Sequence, residues 1–263
     1  MSVTDYLLQD AKSIVRSTVA DVELLFQTMR DLNVFIGGLS MLPYFLRDLH
    51  YNTSFPLQFF VPAASFTIFI RHLRHQHHAR LRYKSTPPTN YHGFRKLVGL
   101  QGTRRDIIVF SSANECALSP LVRSPSTSAM CYVGATRFGV LWPSLTFARR
   151  AMLGEFPPSS SKKSSIADDL GVDNKLYSWM WSDLNDPVQL CSRLSFRCPA
   201  QTRHLLDDGT LRGTWLPLQP IPAMPNIYFR LDERPCGGPC LQPSSLLPHA
   251  SDRIRVIPND TDQ

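Results

Sequence analysis

The chain has 263 residues, a mean hydropathy of -0.14 and a formal net charge of +7, with 28 Lys and Arg against 21 Asp and Glu. This length is enough to bury a core without crosslinks, and the modest hydropathy excludes a multi-span transporter. The excess of cations favours an anionic partner such as RNA or a phospholipid surface. Six cysteines are too few for a disulfide scaffold, so a reducing compartment is expected.

The first thirty residues carry the pattern of one amphipathic helix. From Val3 to Met29 apolar residues recur at steps of three and four, while acids and bases alternate on the opposite face. We therefore predict a helix that packs against other elements. Asp5 and Asp10 interrupt any basic leader, so a cleaved secretory signal is not expected.

Two runs without charge follow, from Asn33 to Leu46 and from Phe55 to Ile70. Each is shorter than the roughly 20 residues of a spanning helix. Internal Gly and Pro, with aromatic residues near the ends, favour an apolar hairpin in a membrane, either re-entrant or as two tilted spans. The alternative is a helical hairpin buried among proteins. The candidate docking side chains are Phe35, Leu39, Leu42, Phe45, Phe59, Phe60, Phe66 and Phe69.

A basic segment, RHLRHQHHARLRYK, comes directly after Ile70, and no Asp or Glu occurs between Asp48 and Asp106. Each Lys or Arg near an anionic membrane surface contributes about 1 kcal/mol of binding. We predict a basic helix that faces lipid headgroups or another anionic neighbour. The candidate lipid or anion contacts are Arg71, Arg74, Arg80, Arg82, Lys84, Arg95, Lys96, Arg104 and Arg105.

RNA is the alternative anionic partner. Cations lie close in sequence to the rings of Tyr91, His92 and Phe94: Arg95, Lys96, Arg104 and Arg105. Such mixtures of cations and stacking groups are typical of single-stranded RNA contact. Nothing resembles an RRM core, a KH loop or a zinc finger. The expected RNA contact is therefore nonspecific and electrostatic.

Short apolar runs at 107–110, 130–135 and 138–142 predict strands separated by turns. The predicted fold class is α+β, with a mainly helical N-terminal half. Its expected parts are a helix, apolar hairpin and basic helix in 1–86, a small mixed α/β unit in 87–157, a linker in 158–172, and a short helix with an extended Pro-rich arm in 173–263. Such an arm gains order by wrapping a partner.

Histidine and cysteine clusters are the candidates for metal chemistry. The four histidines of the basic segment are His72, His75, His77 and His78. Imidazole suits transition metals, but a di-iron site needs several histidine clusters on different helices, and the sequence has only this one. We therefore expect a basic interfacial helix whose positive charge rises below pH ~6.5. Cys191, Cys198, Cys236 and Cys240 lack the CxxC spacing of structural zinc sites; we expect free thiols, or a disulfide between the last two.

Catalytic motifs are absent from the sequence: it contains no GxSxG, HExxH or GxxxxGK[ST] pattern. The adjacent carboxylates Asp168-Asp169 and Asp207-Asp208 point in different directions in a helix or a strand, so a solvated surface is expected for both pairs. The sequence thus favours a protein without catalytic residues, cofactor, metal or small-molecule substrate.

The functional hypothesis is a non-catalytic accessory subunit of a large membrane-associated complex. Its partners would be other subunits and anionic phospholipid, and its expected location is the mitochondrial inner membrane. The alternative is an RNA-contacting structural component of a ribonucleoprotein of the organellar ribosome type.

Overall fold

The computed structural model describes residues 2–47, 55–86, 94–124, 126–149, 201–215, 226–230 and 254–257. In these ranges the chain contains five α-helices, an eight-stranded mixed sheet and a separate three-stranded sheet. The α+β prediction is confirmed. The predicted linker, the helix near 175–184 and the four C-terminal cysteines lie outside the described residues.

The first thirty residues form two helices, α1 (Val3–Arg16) and α2 (Val22–Asp31), so the prediction of a single helix is wrong. Ser2 and Asp5 form a capping box at the start of α1. The Asp21 carboxylate accepts a backbone N–H in the first turn of α2 and thereby starts a new helix. Because both helices pack on the same core, the apolar spacing continues through the break.

The large sheet joins strands from both sides of residue 86. Its strands are β1 (Phe35–Gly37), β2 (Leu57–Val61), β3 (Arg80–Ser85), β4 (Phe94–Gln101), β5 (Asp106–Ser112), β6 (Cys131–Gly134), β7 (Arg137–Val140) and β9 (Leu211–Thr214). Their order is β3-β4-β5-β2-β1-β6-β7-β9. Strands β2 and β5 are parallel, and the other neighbours are antiparallel.

The strands predicted near 107–110, 130–135 and 138–142 are present as β5, β6 and β7. The C-terminal part adds β8 (Arg203–His204), β10 (Asn226–Phe229) and β11 (Ile254–Ile257), which form the small sheet in the order β11-β10-β8. Each of the three predicted segments was recognisable because it is a short apolar run bounded by turn residues.

The apolar hairpin is where the structure departs furthest from the sequence prediction. Its first run contains β1, a 3₁₀ turn and the short helix α3 (Leu42–Leu46); its second contains β2 and the start of α4 (Phe66–Gln76). The helical hairpin prediction is therefore wrong for these strands. Pro56 directly precedes β2 and Pro62 directly follows it, so the prolines mark the ends of a strand rather than kinks in a helix.

All eight candidate docking side chains are at most 9% exposed and belong to the chain's own hydrophobic core. Phe59 packs on the sheet face that carries the helices, while Phe35 and Phe60 face the other side. Within the described ranges, no helix combines the length and apolarity needed to cross a membrane. Burial inside the fold accounts for these apolar runs.

The basic segment is divided between two elements rather than forming one helix. Helix α4 ends at Gln76, and β3 begins at Arg80. His78, between them, has a φ of 54°, a left-handed conformation that turns the chain from helix into strand.

The described pieces of the predicted C-terminal arm pack on the chain itself. Strand β9 extends the large sheet by pairing with β7. Leu205, Ile227 and Phe229 are fully buried against Trp142 and its neighbours in the second half of the core. These pieces are ordered by intramolecular contacts.

Gly38, after β1, is a position where the backbone requires glycine. Its φ is 72°, and an added Cβ would lie 1.8 Å from Oε1 of Gln58. Gly38→Ala is expected to lower the free energy of unfolding by more than about 1 kcal/mol, measured by urea denaturation. Adding Gln58→Ala removes the clash but not the backbone strain, so the double variant should regain only part of the lost stability. A Gly38→Ala protein as stable as the parent would contradict the requirement for glycine.

Candidate anion-binding surface

Strand β3 forms one edge of the large sheet, because β4 pairs with one side of it and no described strand pairs with the other. Its residues from Arg80 to Lys84 are all exposed. A shift in register between Leu81 and Tyr83 gives the strand a bulge. Cations and bulges on an edge strand also hinder edge-to-edge association of sheets. The basic composition therefore has two explanations, which binding measurements separate.

Eight of the nine predicted anion contacts are exposed. They lie on β3, on its neighbour β4, in the turn after β4, and on the helix that leads into β3. We call these eight residues the basic edge: Arg71, Arg74, Arg80, Arg82, Lys84, Arg95, Lys96 and Arg104. The pairing of β3 with β4 brings five of them, Arg80, Arg82, Lys84, Arg95 and Lys96, onto two adjacent strands.

The basic edge is poorly neutralised by its own chain. Nη1 of Arg82 lies 2.6 Å from Oδ2 of Asp106, with side-chain exposures of 48% and 40%. An ion pair this exposed is weak and is screened by salt. The other seven cations have no carboxylate within 4 Å among the described residues. A positive potential therefore extends into solvent on this side of the molecule.

Apolar side chains are exposed among these cations. Ile68 on α4 is 55% exposed, while Leu81 and Tyr83 on β3 are 41% and 40% exposed. The Tyr83 ring lies directly over Gly99, so a Cβ at that position would fall 2.2 Å from Cε1 of the ring. Exposed apolar groups beside cations are typical of surfaces that lie against lipid headgroups.

The ninth predicted contact, Arg105, is 8% exposed and is not part of the basic edge. Burial disfavours the charged guanidinium and lowers its pKa to about 10. Its burial sets it apart from the eight exposed cations, although its location beside Arg104 keeps it at the same corner of the sheet.

Two histidines of the cluster form a pair, in which His77 is buried and His72 is half-buried. His77 is 1% exposed, and its Nε2 lies 3.0 Å from Nε2 of His72. The backbone N–H of Asp21 donates to Nδ1 of His77 at 3.4 Å, which leaves Nε2 of His77 as the nitrogen that carries the proton and donates to His72. Nδ1 of His72 can then donate to Oγ1 of Thr28, 3.4 Å away. The relay connects α4 with α2.

Burial is the main cause that lowers the pKa of His77 to about 4, and the neighbouring His72 and His78 lower it further, while Asp21 raises it. Burial also lowers the pKa of His72. The expected gain of charge below pH ~6.5 is therefore wrong for these two residues. No group of three or more metal-ligating side chains occurs in the described part of the chain.

A polar network that the sequence did not predict lies around Arg203, which is 1% exposed. Its Nε and Nη2 donate to both carboxylate oxygens of Asp207 at 2.6 and 2.8 Å, and Nη2 also donates to the carbonyl of Leu141. The guanidinium lies over the Trp142 ring. The pKa of Asp207 is lowered although burial opposes this, because Arg203 and other donors stabilise the carboxylate. The prediction of a solvated surface is wrong for Asp207, while Asp208 is exposed.

The four-residue spacing between Arg203 and Asp207 was a signal for this ion pair, but it suggested only a local contact. No family model, curated protein or solved structure matches the chain. The networks around Arg203 and His77 connect elements of the fold, whereas the residues of the basic edge are exposed to solvent.

Proposed function

We propose that this chain is a non-catalytic accessory protein of a membrane-associated assembly, which attaches peripherally to an anionic phospholipid surface through the basic edge. The observation that carries the proposal is the set of seven exposed cations without an ion-pair partner among the described residues. The proposed location is the mitochondrial inner membrane. Other subunits of the assembly are its proposed protein partners.

Electrostatics supplies most of the binding in this proposal. At about 1 kcal/mol for each cation near an anionic surface, several cations together give a stable but salt-sensitive attachment. Exposed Ile68 and Leu81 add apolar contact at the headgroup level. The eight candidate docking side chains of the apolar hairpin have no part in the attachment, because they are already buried in the fold.

RNA is the second candidate partner. Tyr83 is 40% exposed and lies between Arg82 and Lys84 in sequence, so its ring offers a stacking surface beside cations. Phe94 is less available, because its ring packs edge-on against Phe110 with centroids 5.3 Å apart. A ribonucleoprotein would use the same basic edge.

Neutralising two lysines tests the proposal. Lys84 on β3 and Lys96 on β4 are both exposed, so Lys84→Gln with Lys96→Gln should leave the fold intact. Loss of about 2 kcal/mol is expected to weaken binding to phosphatidylserine and phosphatidylcholine vesicles about thirtyfold. Vesicle co-sedimentation at several salt concentrations measures this change.

The matched control removes two cations elsewhere. Arg212 lies on the opposite edge strand, and Arg149 follows the helix α5 (Pro143–Phe147) after β7. Replacing both with Gln lowers the net charge equally but should change vesicle binding less than threefold. Equal effects of the two double variants would overturn a localised basic edge. Binding to RNA but not to vesicles would replace lipid with RNA as the partner.

A further inference from the structure

One corner of the sheet contains a buried cation without a counterion among the described residues. There, the loop between α1 and α2 meets the turn between β4 and β5. Oγ1 of Thr103 donates to the carbonyls of Ser17 and Thr18 at 3.2 and 2.9 Å, and the N–H of Gly102 donates to the carbonyl of Arg105 at 3.1 Å. These bonds fix the loop against the turn.

Arg105 and Thr18 bring unsatisfied polar groups to this corner. Arg105 is 8% exposed, and its Nε and Nη2 are shielded from solvent without a hydrogen-bond partner. Thr18 is fully buried, and its Oγ1 also has no partner. Nη1 of Arg105 is not among the shielded atoms, so the guanidinium opens towards solvent at that nitrogen.

The surroundings of Arg105 contain no neutralising acid. Asp106, the adjacent acid, pairs with Arg82. No described carboxylate lies within 4 Å of Arg105. A buried cation that has lost water and gained no acceptor is costly unless an anion joins it.

Two exposed arginines flank the corner. Arg80 pairs in register with Gln101, the last residue of β4, and Arg104 directly precedes Arg105. Guanidinium groups match the oxygens of phosphate well, because their N–H groups form planar, charge-assisted hydrogen bonds. The buried Arg105 and its exposed neighbours therefore form the donor set of an anion site.

We propose that this corner binds a phosphate group, which accepts hydrogen bonds from the guanidinium of Arg105, with Arg80 and Arg104 completing its neutralisation. The proposal rests on the proposed function and deepens it by naming the chemical group that the basic surface recognises. The group comes from a lipid headgroup or from free phosphate.

Thermal unfolding with inorganic phosphate tests the site. For the unaltered chain, phosphate should raise Tm saturably, by about 5 to 10 °C at a hundredfold excess over Kd, relative to chloride at equal ionic strength. Arg105→Lys keeps a cation but loses the planar donors, and should weaken phosphate affinity at least tenfold. Arg212→Gln, on the opposite edge strand and outside the basic edge, should leave the affinity unchanged. An equal Tm in phosphate and chloride would overturn the site.

A second variant tests the site without changing the buried Arg105. Arg80→Gln with Arg104→Gln changes only exposed side chains and should lower phosphate affinity about tenfold; an unchanged affinity would also overturn the site. Competition between inorganic phosphate and phosphatidic acid vesicles identifies the source of the group. Mutual competition assigns the site to a headgroup, and phosphate binding unaffected by vesicles assigns it to free phosphate.

The two proposals fail separately. The vesicle test of Lys84 and Lys96 uses neither Arg80, Arg104 nor Arg105. If phosphate does not stabilise the chain while the lysine variant still loses vesicle binding, the corner site is wrong and the basic edge stands. If phosphate binds at the corner but the lysine variant binds vesicles normally, peripheral attachment through the basic edge is wrong.

Discussion

Replacing Phe59 with alanine is expected to lower the free energy of unfolding by roughly 3 to 5 kcal/mol. Phe59 is fully buried at the centre of β2, and its ring packs against Phe69 of α4 with centroids 5.1 Å apart. Removing the ring leaves a cavity between the sheet and the helix, which neighbouring side chains cannot close completely. Urea denaturation followed by circular dichroism measures the loss.

A pair of charged substitutions provides the control. Val61 is fully buried, so Val61→Asp should prevent stable folding, whereas Ala64 is exposed and Ala64→Asp should be tolerated. A membrane hairpin gives a different result, because both substitutions would then abolish membrane association without unfolding the rest of the chain. If both variants folded but neither bound membranes, the assignment of these residues to the hydrophobic core would be contradicted.

Acidification is expected to destabilise the fold through His77. Its pKa is lowered from 6.5 to about 4 in the folded chain, so between these pH values the unfolded chain binds more protons. The stability contribution is fully present above pH ~6.5 and is lost as the pH falls towards 4, in total on the order of 3 kcal/mol. Among the neighbours of His77, the side chains of His72 and His78 disfavour its protonation, while the carboxylate of Asp21 favours it.

The pH dependence of His77→Gln isolates this contribution from that of other groups. The variant is less stable at pH 7, because it loses the contact with His72, but its stability should fall less between pH 7 and 4 than that of the parent. His75→Gln, at an exposed position, should keep the parent's pH dependence. Parallel stability curves for the parent and His77→Gln would show that the His72–His77 pair does not sense pH.

Local sequence patterns predicted much of the helix and strand content. The amphipathic spacing from Val3 to Met29 indicated helix correctly, because propensity and burial agree there. It could not show the break at Asp21, since the two helices share one apolar side. The runs at β5, β6 and β7 were recognisable because turn residues bound them.

The prediction of an apolar hairpin was wrong for a physical reason. A charge-free run of five residues, such as β2, has no periodicity that distinguishes a buried strand from a buried helix or a short membrane segment. Only long-range pairing decides, and β2 pairs in parallel with β5, about fifty residues later in the chain. Its parallel pairing in the sheet interior explains why every neighbour of Gln58 in the strand is apolar.

The candidate surface was partly predictable. The absence of acids from 49 to 105 identified the exposed cations of β3 and β4, because charged side chains rarely lose solvent without a partner. Arg105 is the exception, because it is buried at the corner where the α1–α2 loop is hydrogen-bonded to the turn after β4. The His72–His77 pair also needed the turn at His78 to bring its two nitrogens together.

Extraction of membranes from cells that express the chain tests the central claim most directly. Peripheral attachment through the basic edge predicts that the chain sediments with membranes at low salt and is released by both high salt and alkaline carbonate, with no effect of nuclease. Retention in the membrane pellet after carbonate treatment would contradict the account, because it would require an apolar anchor in lipid.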